Sequence, residues 1–406
     1  MSGVEGITRR SFLFAAGGAA AAGLIGCSES DDSQRSAAGG ASPAPADCAA
    51  LEDGAGGRVP LWETAIERGI VYGSSTATWQ LSDTGYRRLF AREAAILFTE
   101  DDLLWYRLRP TPTSGLDFRF GDRIVSFAER RGMLVLGAHL VWDEGFGEGW
   151  TDDDLWGMSE QEARQLIFGT INRVVGRYKG RVAAWIVANE VLDGAGLRAD
   201  VPWYETIGPS YVAESFTAAH EADPDATLLL NDFGFETDDD FAAAADKRAA
   251  TLQLLDDLLG ENVPVHALGV QAHLHGGNFV DDFDPKAYRT FLSEVAGRGL
   301  KILITEMDVL DDGLPAKIGV RDRAIADVMR RYLDVALDEP AVASVITFGL
   351  SDRYTWLQED FPRDDGAPRR PLPFDEQLKP KPAHDALNES LEGAEPRDSV
   401  WRPPRC

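Results

Sequence analysis

The sequence of 406 residues predicts an α/β protein folded as a (β/α)8 TIM barrel. Eight short apolar runs alternate with amphipathic helical stretches, which is the pattern of parallel strands joined by crossover helices. The length suits one barrel with insertions and a leader. Residues 73–76, after the first run, read Gly-Ser-Ser-Thr and lack the GxGxxG pattern of an open dinucleotide-binding sheet. A closed barrel is therefore favoured over an open doubly wound sheet.

Each predicted strand reads as an apolar run, because helices cover both faces of a parallel sheet. The run at residues 183–190 ends at Glu190, and the run at residues 301–308 carries Glu306 near its end. A carboxylate at the end of a barrel strand faces the mouth, where barrel proteins keep their functional residues. The eight predicted strands cover residues 69–73, 95–98 (a weak run), 134–141, 183–190, 227–233, 267–273, 302–309 and 342–350.

Helical segments lie between the predicted strands. Their apolar residues recur at the spacing that places them on one face of a helix. The clearest predicted helices cover residues 159–178, 211–222, 241–259, 285–298 and 322–336.

The chain divides into a leader, a tether, one large domain and a short tail. Residues 8–13, Thr-Arg-Arg-Ser-Phe-Leu, resemble a twin-arginine export motif, and the apolar run that follows is shorter than the about 20 residues of a membrane span. The run ends in a lipobox-like Leu-Ile-Gly-Cys at Cys27, although an ordinary signal peptide or an uncleaved anchor is the alternative. The predicted divisions are residues 1–27 (signal peptide), 28–58 (flexible tether), 59–391 ((β/α)8 barrel domain) and 392–406 (tail).

The cysteines agree with an exported protein. With a lipid on Cys27, only Cys48 and Cys406 remain, near the two ends of the folded region. An oxidising compartment permits a Cys48–Cys406 disulfide, and two free thiols are the alternative. We expect a periplasmic or cell-surface monomer whose membrane contact is limited to this lipid.

The charge of the chain excludes two classes of partner. The formal net charge is -27, so the surface repels nucleic acid phosphates and anionic lipid. A neutral polymer is neither attracted nor repelled. The hydrophobic content of 44% is ample for a large core.

Polar side chains gather where the predicted strands end. Because parallel strands of a barrel end at the same mouth, these side chains are expected to share one site. In chain order they are His139, Trp142, Asp143, Glu144, Asn189, Glu190, Asn231, Asp232, Gln271, His273, His275, Glu306, Asp308, Ser351, Asp352, Arg353 and Trp356.

Five of these strand ends resemble, in order, the motifs of glycoside hydrolase family 10, the retaining endo-β-1,4-xylanases. The likeness extends over about residues 61–387. Any one motif is weak evidence, whereas five in order are specific. They are Trp-Ile-Val-Ala-Asn-Glu at 185–190, Leu-Asn-Asp-Phe at 230–233, Gly-Val-Gln-Ala-His at 269–273, Ile-Thr-Glu-Met-Asp at 304–308 and Gly-Leu-Ser-Asp-Arg-Tyr-Thr-Trp at 349–356.

The resemblance implies two catalytic carboxyl groups. Glu190 would be the general acid/base and Glu306 the nucleophile of a double displacement. Asn189 would donate to the 2-hydroxyl of the sugar, and His273 would hold Glu306 in place. The supporting residues implied are Asn189, Gln271, His273 and Asp308. This mechanism needs no cofactor and no metal.

The predicted substrate-binding shell departs from the family pattern. Asp101 stands in place of an Asn, Leu104 in place of a sugar-binding Lys, Asp143 in place of a His and Phe348 in place of a Trp. Two donors and one aromatic platform are lost, and the new carboxylates are expected to repel anionic sugars. We therefore expect an altered preference among neutral poly- or oligosaccharides, with xylan the best single choice. The predicted substrate-binding residues are Glu100, Asp101, Trp105, Trp142, Asp143, Asn231, Phe348 and Trp356.

Other interpretations remain open at this stage. A Glu at a strand end can cap a helix or form an ion pair, and Asn231 with Asp232 can simply shape a turn. His273 and His275 could be metal ligands, although no third ligand has a suitable spacing. The chain could also be a sugar-binding protein without activity, or a glycosidase for another β-glycoside.

Overall fold

The computed structural model describes residues 58–239 and 242–404. In this part of the chain, eight parallel strands form a closed barrel, because the last strand pairs with both the strand before it and the first strand. The predicted TIM barrel is confirmed. The strands are β1 (Val71–Thr76), β2 (Ile96–Thr99), β3 (Leu134–Gly137), β4 (Ala184–Asn189), β5 (Thr227–Asp232), β6 (Ala267–Val270), β7 (Lys301–Leu310) and β8 (Val342–Thr347).

A helix follows each barrel strand and covers the outside of the barrel. These helices are α1 (Thr84–Glu93), α2 (Arg119–Glu129), α3 (Glu160–Arg177), α4 (Tyr211–Ala222), α5 (Ala244–Gly260), α6 (Pro285–Gly297), α7 (Ile318–Ala336) and α8 (Pro382–Gly393). Shorter helices and 3-10 turns lie at Leu61–Ile66, Gln80–Ser82, Trp105–Leu108, Asp143–Gly145, Asp152–Trp156, Pro202–Ile207, Phe279–Asp282, Asp352–Tyr354 and Leu357–Asp360. A hairpin at Leu192–Asp193 and Gly196–Leu197 follows β4, and His273–His275 pairs with β7.

Local sequence explains where several helices begin. Asp83 accepts from the backbone N–H groups of Gly85 and Tyr86 at the start of α1. Ser159 and Glu162 form a capping box at α3, each side chain bonding to the backbone of the other. Such caps satisfy N–H groups that have no partner within the helix.

Alternating side chains along the strands divide the core into two layers. Ile186 of β4 points into the barrel, where it joins Phe98, Leu303 and Ile346. Its neighbour Trp185 points outward into the larger layer beneath the helices. The barrel interior is therefore filled by side chains, as expected for eight strands.

Both ends of the described chain lie at the base of the barrel, where the strands begin. The carbonyl of Arg58 accepts from Arg92 in the last turn of α1. The Arg397 guanidinium donates to the carbonyls of Leu337 at 2.7 Å and Val342 at 3.1 Å, beside the start of β8. Trp401 packs against the inner layer.

Several sequence predictions concern residues beyond those described. The predicted signal peptide, all of the tether but its last residue, and Cys27, Cys48 and Cys406 lie outside the described ranges. The predicted domain divisions stay predictions. Within residues 58–239 and 242–404, none of the helices is long and apolar enough to cross a membrane.

Candidate active site

A chain of side-chain amides connects the two predicted catalytic glutamates. Glu190 follows β4 and Glu306 lies in β7. The Asn231 amide of β5, lying between these strands, donates to Glu306 Oε1 at 2.7 Å and to Asn189 Oδ1 at 2.8 Å. Asn189 in turn donates to Glu190 Oε1 at 3.2 Å, and Thr305 donates to Asn231 Oδ1 at 2.7 Å. The structure therefore brings both carboxyl groups into one hydrogen-bonded assembly at the barrel mouth.

Neutral donors surround the carboxyl group of Glu190. Gln271 donates to Oε1 at 3.0 Å, and the Trp142 indole donates to Oε2 at 3.1 Å. Burial raises the pKa of Glu190, the Gln271 hydrogen bond partly offsets it, and the negative charges of Asp232 and Glu306 raise it further. This environment favours the protonated carboxyl group.

Two imidazoles flank Glu306, whose exposed fraction is only 4%. His273 Nε2 lies 3.7 Å from Oε2, and His139 Nε2 lies 3.9 Å from Oε1, both beyond hydrogen-bond distance. Burial raises the pKa of Glu306, but the two imidazoles outweigh burial and bring that pKa down to about 2. Glu306 is therefore held as a carboxylate.

Asp308 fixes the orientation of His273. One Asp308 oxygen lies 2.8 Å from His273 Nδ1, and the other accepts from the Trp356 indole at 2.7 Å. Burial lowers the pKa of His273, but Asp308 and Glu306 outweigh it and raise that pKa to about 10. The ring therefore faces Glu306 as an imidazolium, consistent with the supporting positions predicted for His273 and Asp308.

The two glutamates thus have environments that push their pKa values in opposite directions. Such a division is how one site holds an acid and a base at the same pH. A protonated carboxyl group can donate to a leaving oxygen, whereas a carboxylate can attack carbon. The arrangement suits displacement at an anomeric carbon.

Aromatic rings border the site on the side of β8. Phe348 makes an edge contact with His273 at 5.6 Å between ring centroids, and Trp356 makes another at 5.3 Å. Both rings are partly exposed, as is Trp142. They are the faces on which a sugar can lie.

Trp105 does not line the mouth. Its side chain is 2% exposed, its indole donates to the Leu140 carbonyl at 3.0 Å, and it stacks on Phe146 at 4.7 Å. The structure thus contradicts the predicted substrate contact for Trp105. A Trp near a strand end reads the same in sequence whether it turns toward the core or the cleft.

Asp143 is not a free carboxylate. Arg198 binds it with two hydrogen bonds, at 3.1 Å to Oδ1 and 2.8 Å to Oδ2, and also contacts Asp200 at 3.1 Å. The same guanidinium donates to the Glu190 carbonyl at 3.0 Å. Arg198 thus offsets the charge of Asp143, which weakens the expected repulsion of anionic sugars.

The carboxylates after β2 also accept hydrogen bonds from neighbouring side chains. Glu100 accepts from Ser75 at 2.8 Å and from Gln80 at 3.1 Å, and Asp101 accepts from the indole of Trp79 at 2.8 Å. Leu104 is buried. The predicted sugar-binding residues Glu100 and Asp101 thus hold the loop after β1.

Sequence reasoning left three of these residues without a role. His139 was among the strand-end residues, but its closeness to Glu306 is a tertiary contact between β3 and β7. Arg198 directly follows the hairpin after β4, and Trp79 lies in the loop after β1, both away from the quoted motifs. Arg198 lies 55 positions from Asp143 in the sequence, so no local signal could have indicated their pairing.

Comparisons with known proteins identify the family of this chain. The family model "Glycosyl hydrolase family 10" matches residues 61–390. The chain belongs to glycosyl hydrolase family 10. Among family relatives, endo-1,4-beta-xylanase B of Thermotoga neapolitana is 31% identical over 341 residues, covering 82% of this chain and 92% of the relative.

Solved family 10 structures share the fold. Native xylanase 10B from Thermotoga maritima aligns with a TM-score of 0.73 at 31% identity, covering 82% of this chain and 98% of that chain. Xylanase 10B from Thermotoga petrophila RKU-1, in complex with xylobiose, aligns with a TM-score of 0.73 at 31% identity, covering 84% of this chain and 99% of that chain. The family resemblance is confirmed, and the protein is an endo-β-1,4-xylanase-like glycoside hydrolase.

We searched the described part of the barrel for side chains that could bind a metal ion. Residues 58–239 and 242–404 contain no group of three or more His, Cys, Asp or Glu side chains that could hold one. His273 bonds to Asp308, and His275 is exposed at the end of the same short strand.

Proposed function

We propose that the protein is an exported retaining glycosidase that cleaves β-1,4-linked polysaccharide, with xylan or a related β-glycan as substrate. Glu190 is the general acid/base and Glu306 the nucleophile. One observation carries this proposal: the two carboxyl groups share one amide network, while their surroundings favour a proton on Glu190 and a charge on Glu306.

The first displacement breaks the glycosidic bond. The Glu306 carboxylate attacks the anomeric carbon and forms an ester with the sugar, while the bond to the leaving oxygen breaks. Glu190 gives its proton to that oxygen, so the departing chain leaves as an alcohol.

The second displacement restores the enzyme. Once Glu306 is esterified, its negative charge no longer raises the pKa of Glu190, so Glu190 ionises more readily. The Glu190 carboxylate takes a proton from water as that water attacks the anomeric carbon. The ester bond breaks, Glu306 returns as a carboxylate, and the configuration is retained.

The neighbouring side chains position these groups. Asn189, already within reach of Glu190, donates to the sugar 2-hydroxyl, a contact that strengthens in the transition state. Asn231 and the His273 imidazolium hold the Glu306 carboxylate. Gln271 and Trp142 hold Glu190 at the leaving oxygen.

The choice of substrate rests on the relatives and on the mouth of the barrel. Several matched relatives, among them that of Thermotoga neapolitana, bear the name xylanase, and one solved relative is a complex with xylobiose. The departures at Leu104 and Phe348 remove a donor and a large ring from the cleft, so the preference among β-glycans shifts from that of an ordinary xylanase. Losing a donor to a hydroxyl costs about 0.5–1.5 kcal/mol.

We also propose that the enzyme acts outside the cytoplasm as a monomer, held by a lipid on Cys27. The twin-arginine pair and the lipobox-like Leu-Ile-Gly-Cys support export and lipidation. Cell fractionation followed by mass spectrometry of the N-terminal peptide tests this. A Cys27→Ser variant is expected to leave the membrane fraction, and an unmodified Cys27 in the wild type would refute the anchor.

Product analysis tests the activity. Purified wild type is incubated with xylan, mixed-linkage glucan, cellulose and mannan, and released sugars are identified by chromatography and by the anomer first formed. We expect β-anomeric products from one or more of these polymers and none from Glu306→Ala. First products of the opposite configuration, or undiminished release by Glu306→Ala, would overturn the mechanism. Polymer binding without any product would indicate a binding protein.

A further inference from the structure

The loop after β1 displays an unusually exposed aromatic ring. Trp79 is 49% exposed, which is among the largest exposures of a big apolar side chain in the described residues. It stands between the end of β1 and the 3-10 turn Gln80–Ser82, on the mouth side of the barrel. Single exposed apolar residues are common, so exposure alone indicates no function.

Three consecutive acidic residues after β2 accept hydrogen bonds from three consecutive residues of this loop. Asp102 accepts from the Thr78 backbone N–H at 2.7 Å and from its hydroxyl at 2.9 Å. Asp101 accepts from the Trp79 indole at 2.8 Å. Glu100 accepts from Gln80 at 3.1 Å. The indole is therefore oriented before any ligand arrives, which lowers the entropy cost of binding.

A second ring holds Trp79 from the side of β8. Tyr354 makes an edge contact with Trp79 at 5.4 Å and 88° between ring planes. The Tyr354 hydroxyl in turn donates to Asp83 at 3.0 Å. Because the only polar atom of the indole is engaged by Asp101, what Trp79 still offers to a partner is an apolar ring face.

We propose that Trp79 is a sugar-stacking platform that extends the substrate cleft on the glycone side. The platform lies on the β8–β1–β2 sector, across the barrel from β4, where Glu190 faces the leaving group. A pyranose offers an apolar C–H face to such a ring, and the net charge of the chain, -27, disfavours anionic chains. Its ligand is therefore a neutral β-linked chain. This inference rests on the proposed function and names a binding position for it.

The platform compensates for a departure in the same sector. The family's sugar-binding Lys is Leu104 here, and Leu104 is buried, so it offers no donor to a sugar. Asp101, in place of the family's Asn, is bonded to Trp79 instead. In this sector, stacking of the sugar on Trp79 thus replaces the hydrogen bonds that the family's Lys and Asn would make to it.

A series of substrates with increasing glycone length tests the platform. The 4-nitrophenyl glycosides of xylobiose to xylopentaose, and the matching cello-oligosaccharides, are given to wild type, Trp79→Ala and Trp79→Phe. Chromatography separates all the products, so that each substrate gives a kcat/KM value and the position of the bond that is cleaved. In wild type, we expect kcat/KM to rise with length. In Trp79→Ala the long substrates should lose about threefold to tenfold more than the shortest, the scale of one aromatic contact.

Trp79→Phe separates stacking from loop structure. It keeps a ring but loses the hydrogen bond to Asp101, so a stacking platform predicts that most of the length dependence survives. A loss equal to that of Trp79→Ala would assign the effect to the loop and overturn the platform. Trp401→Ala, at the base of the barrel, is the matched control and should leave the length dependence intact. An unchanged length dependence and cleavage pattern in Trp79→Ala also refutes the inference.

A binding measurement keeps the platform separate from catalysis. Calorimetric titration of Glu306→Ala and of Trp79→Ala/Glu306→Ala with xylohexaose and cellohexaose gives dissociation constants without turnover. We expect Trp79→Ala to raise the dissociation constant about threefold to tenfold for the sugar that binds. If wild type cleaves no glycan, the proposed function fails while this titration still decides the platform. Equal constants overturn it.

Discussion

The two sides of the barrel mouth hold their carboxyl groups in different ways. On the β4–β7 side, neutral amides and two imidazoles surround Glu190 and Glu306, and these carboxyl groups remain directed at the cleft. On the β1–β3 side, Glu100 and Asp101 are engaged by a loop and Asp143 by Arg198. The carboxyl groups of the first side are placed to react with a substrate, whereas those of the second side hold the loops in position. The acidic residues of the mouth therefore cannot be interpreted alike.

The largest expected effect lies on the β4–β7 side. Glu190→Ala removes the proton donor, and we expect polymer hydrolysis to fall about 10²–10⁴-fold, the usual contribution of general acid catalysis. Aryl glycosides with acidic phenol leaving groups need little proton transfer, so their first displacement should suffer less. Steady-state and burst kinetics on both substrates measure this. Equal losses on both would show that Glu190 does not protonate the leaving group.

A stability effect is expected on the β1–β3 side. Asp143→Ala leaves the buried Arg198 guanidinium without its two-point partner, so the free energy of unfolding should fall by about 3 kcal/mol. Urea denaturation measures this change. Asp338→Ala removes an exposed partner of Arg289 and serves as control, with a loss below about 1 kcal/mol. Similar losses in the two variants would mean that Asp143 and Arg198 do not form a buried pair in solution.

The pH dependence of activity sharpens the assignment of Glu190. With Glu190 as the proposed general acid, activity requires its protonated form, so the alkaline limb of the kcat/KM profile should follow the pKa of this group. Gln271 stabilises the ionised form by donating to it. Gln271→Met should therefore shift the alkaline limb to higher pH. Gln253→Met, on the surface of α5, is the control, and an unmoved or lowered limb in Gln271→Met would contradict the assignment.

A pH-dependent effect on stability is also expected on the β1–β3 side. Burial and the charge of Asp101 raise the pKa of Glu100 from 4.5 to about 8. Between these values the native protein holds a proton that the unfolded chain has lost, so the free energy of unfolding falls as pH rises through this window. Glu100→Gln should reduce that fall, whereas exposed Glu67→Gln should not. Urea midpoints at pH 5 and pH 9 test this, and identical pH dependence in all three proteins would refute it.

The sequence predicted the barrel well, because each strand is an apolar run and its pairing order follows the chain. The predicted helix at residues 211–222 coincides with α4. The first strand was placed at residues 69–73, but β1 is Val71–Thr76, because the buried Ser and Thr residues at its end look like a turn in the sequence. The third was predicted over residues 134–141, but β3 ends at Gly137, and beyond it Val141 forms a single bridge to Ala188 of β4.

The site was predictable where function lies in short motifs. Asn189, Glu190 and Glu306 stand in such motifs and come together in the structure. Arg198 binds Asp143 from 55 positions away, a tertiary contact that no local pattern indicates. The direction in which Trp105 turns is likewise set by packing around Phe146.

The position of the chain ends at the base of the barrel sets how the enzyme is presented. Arg58 enters beside the last turn of α1, so whatever precedes it joins the side opposite the mouth. With the lipid proposed on Cys27, the attachment would lie on the face of the barrel opposite the cleft. A polymer could then enter the cleft without passing the point of attachment.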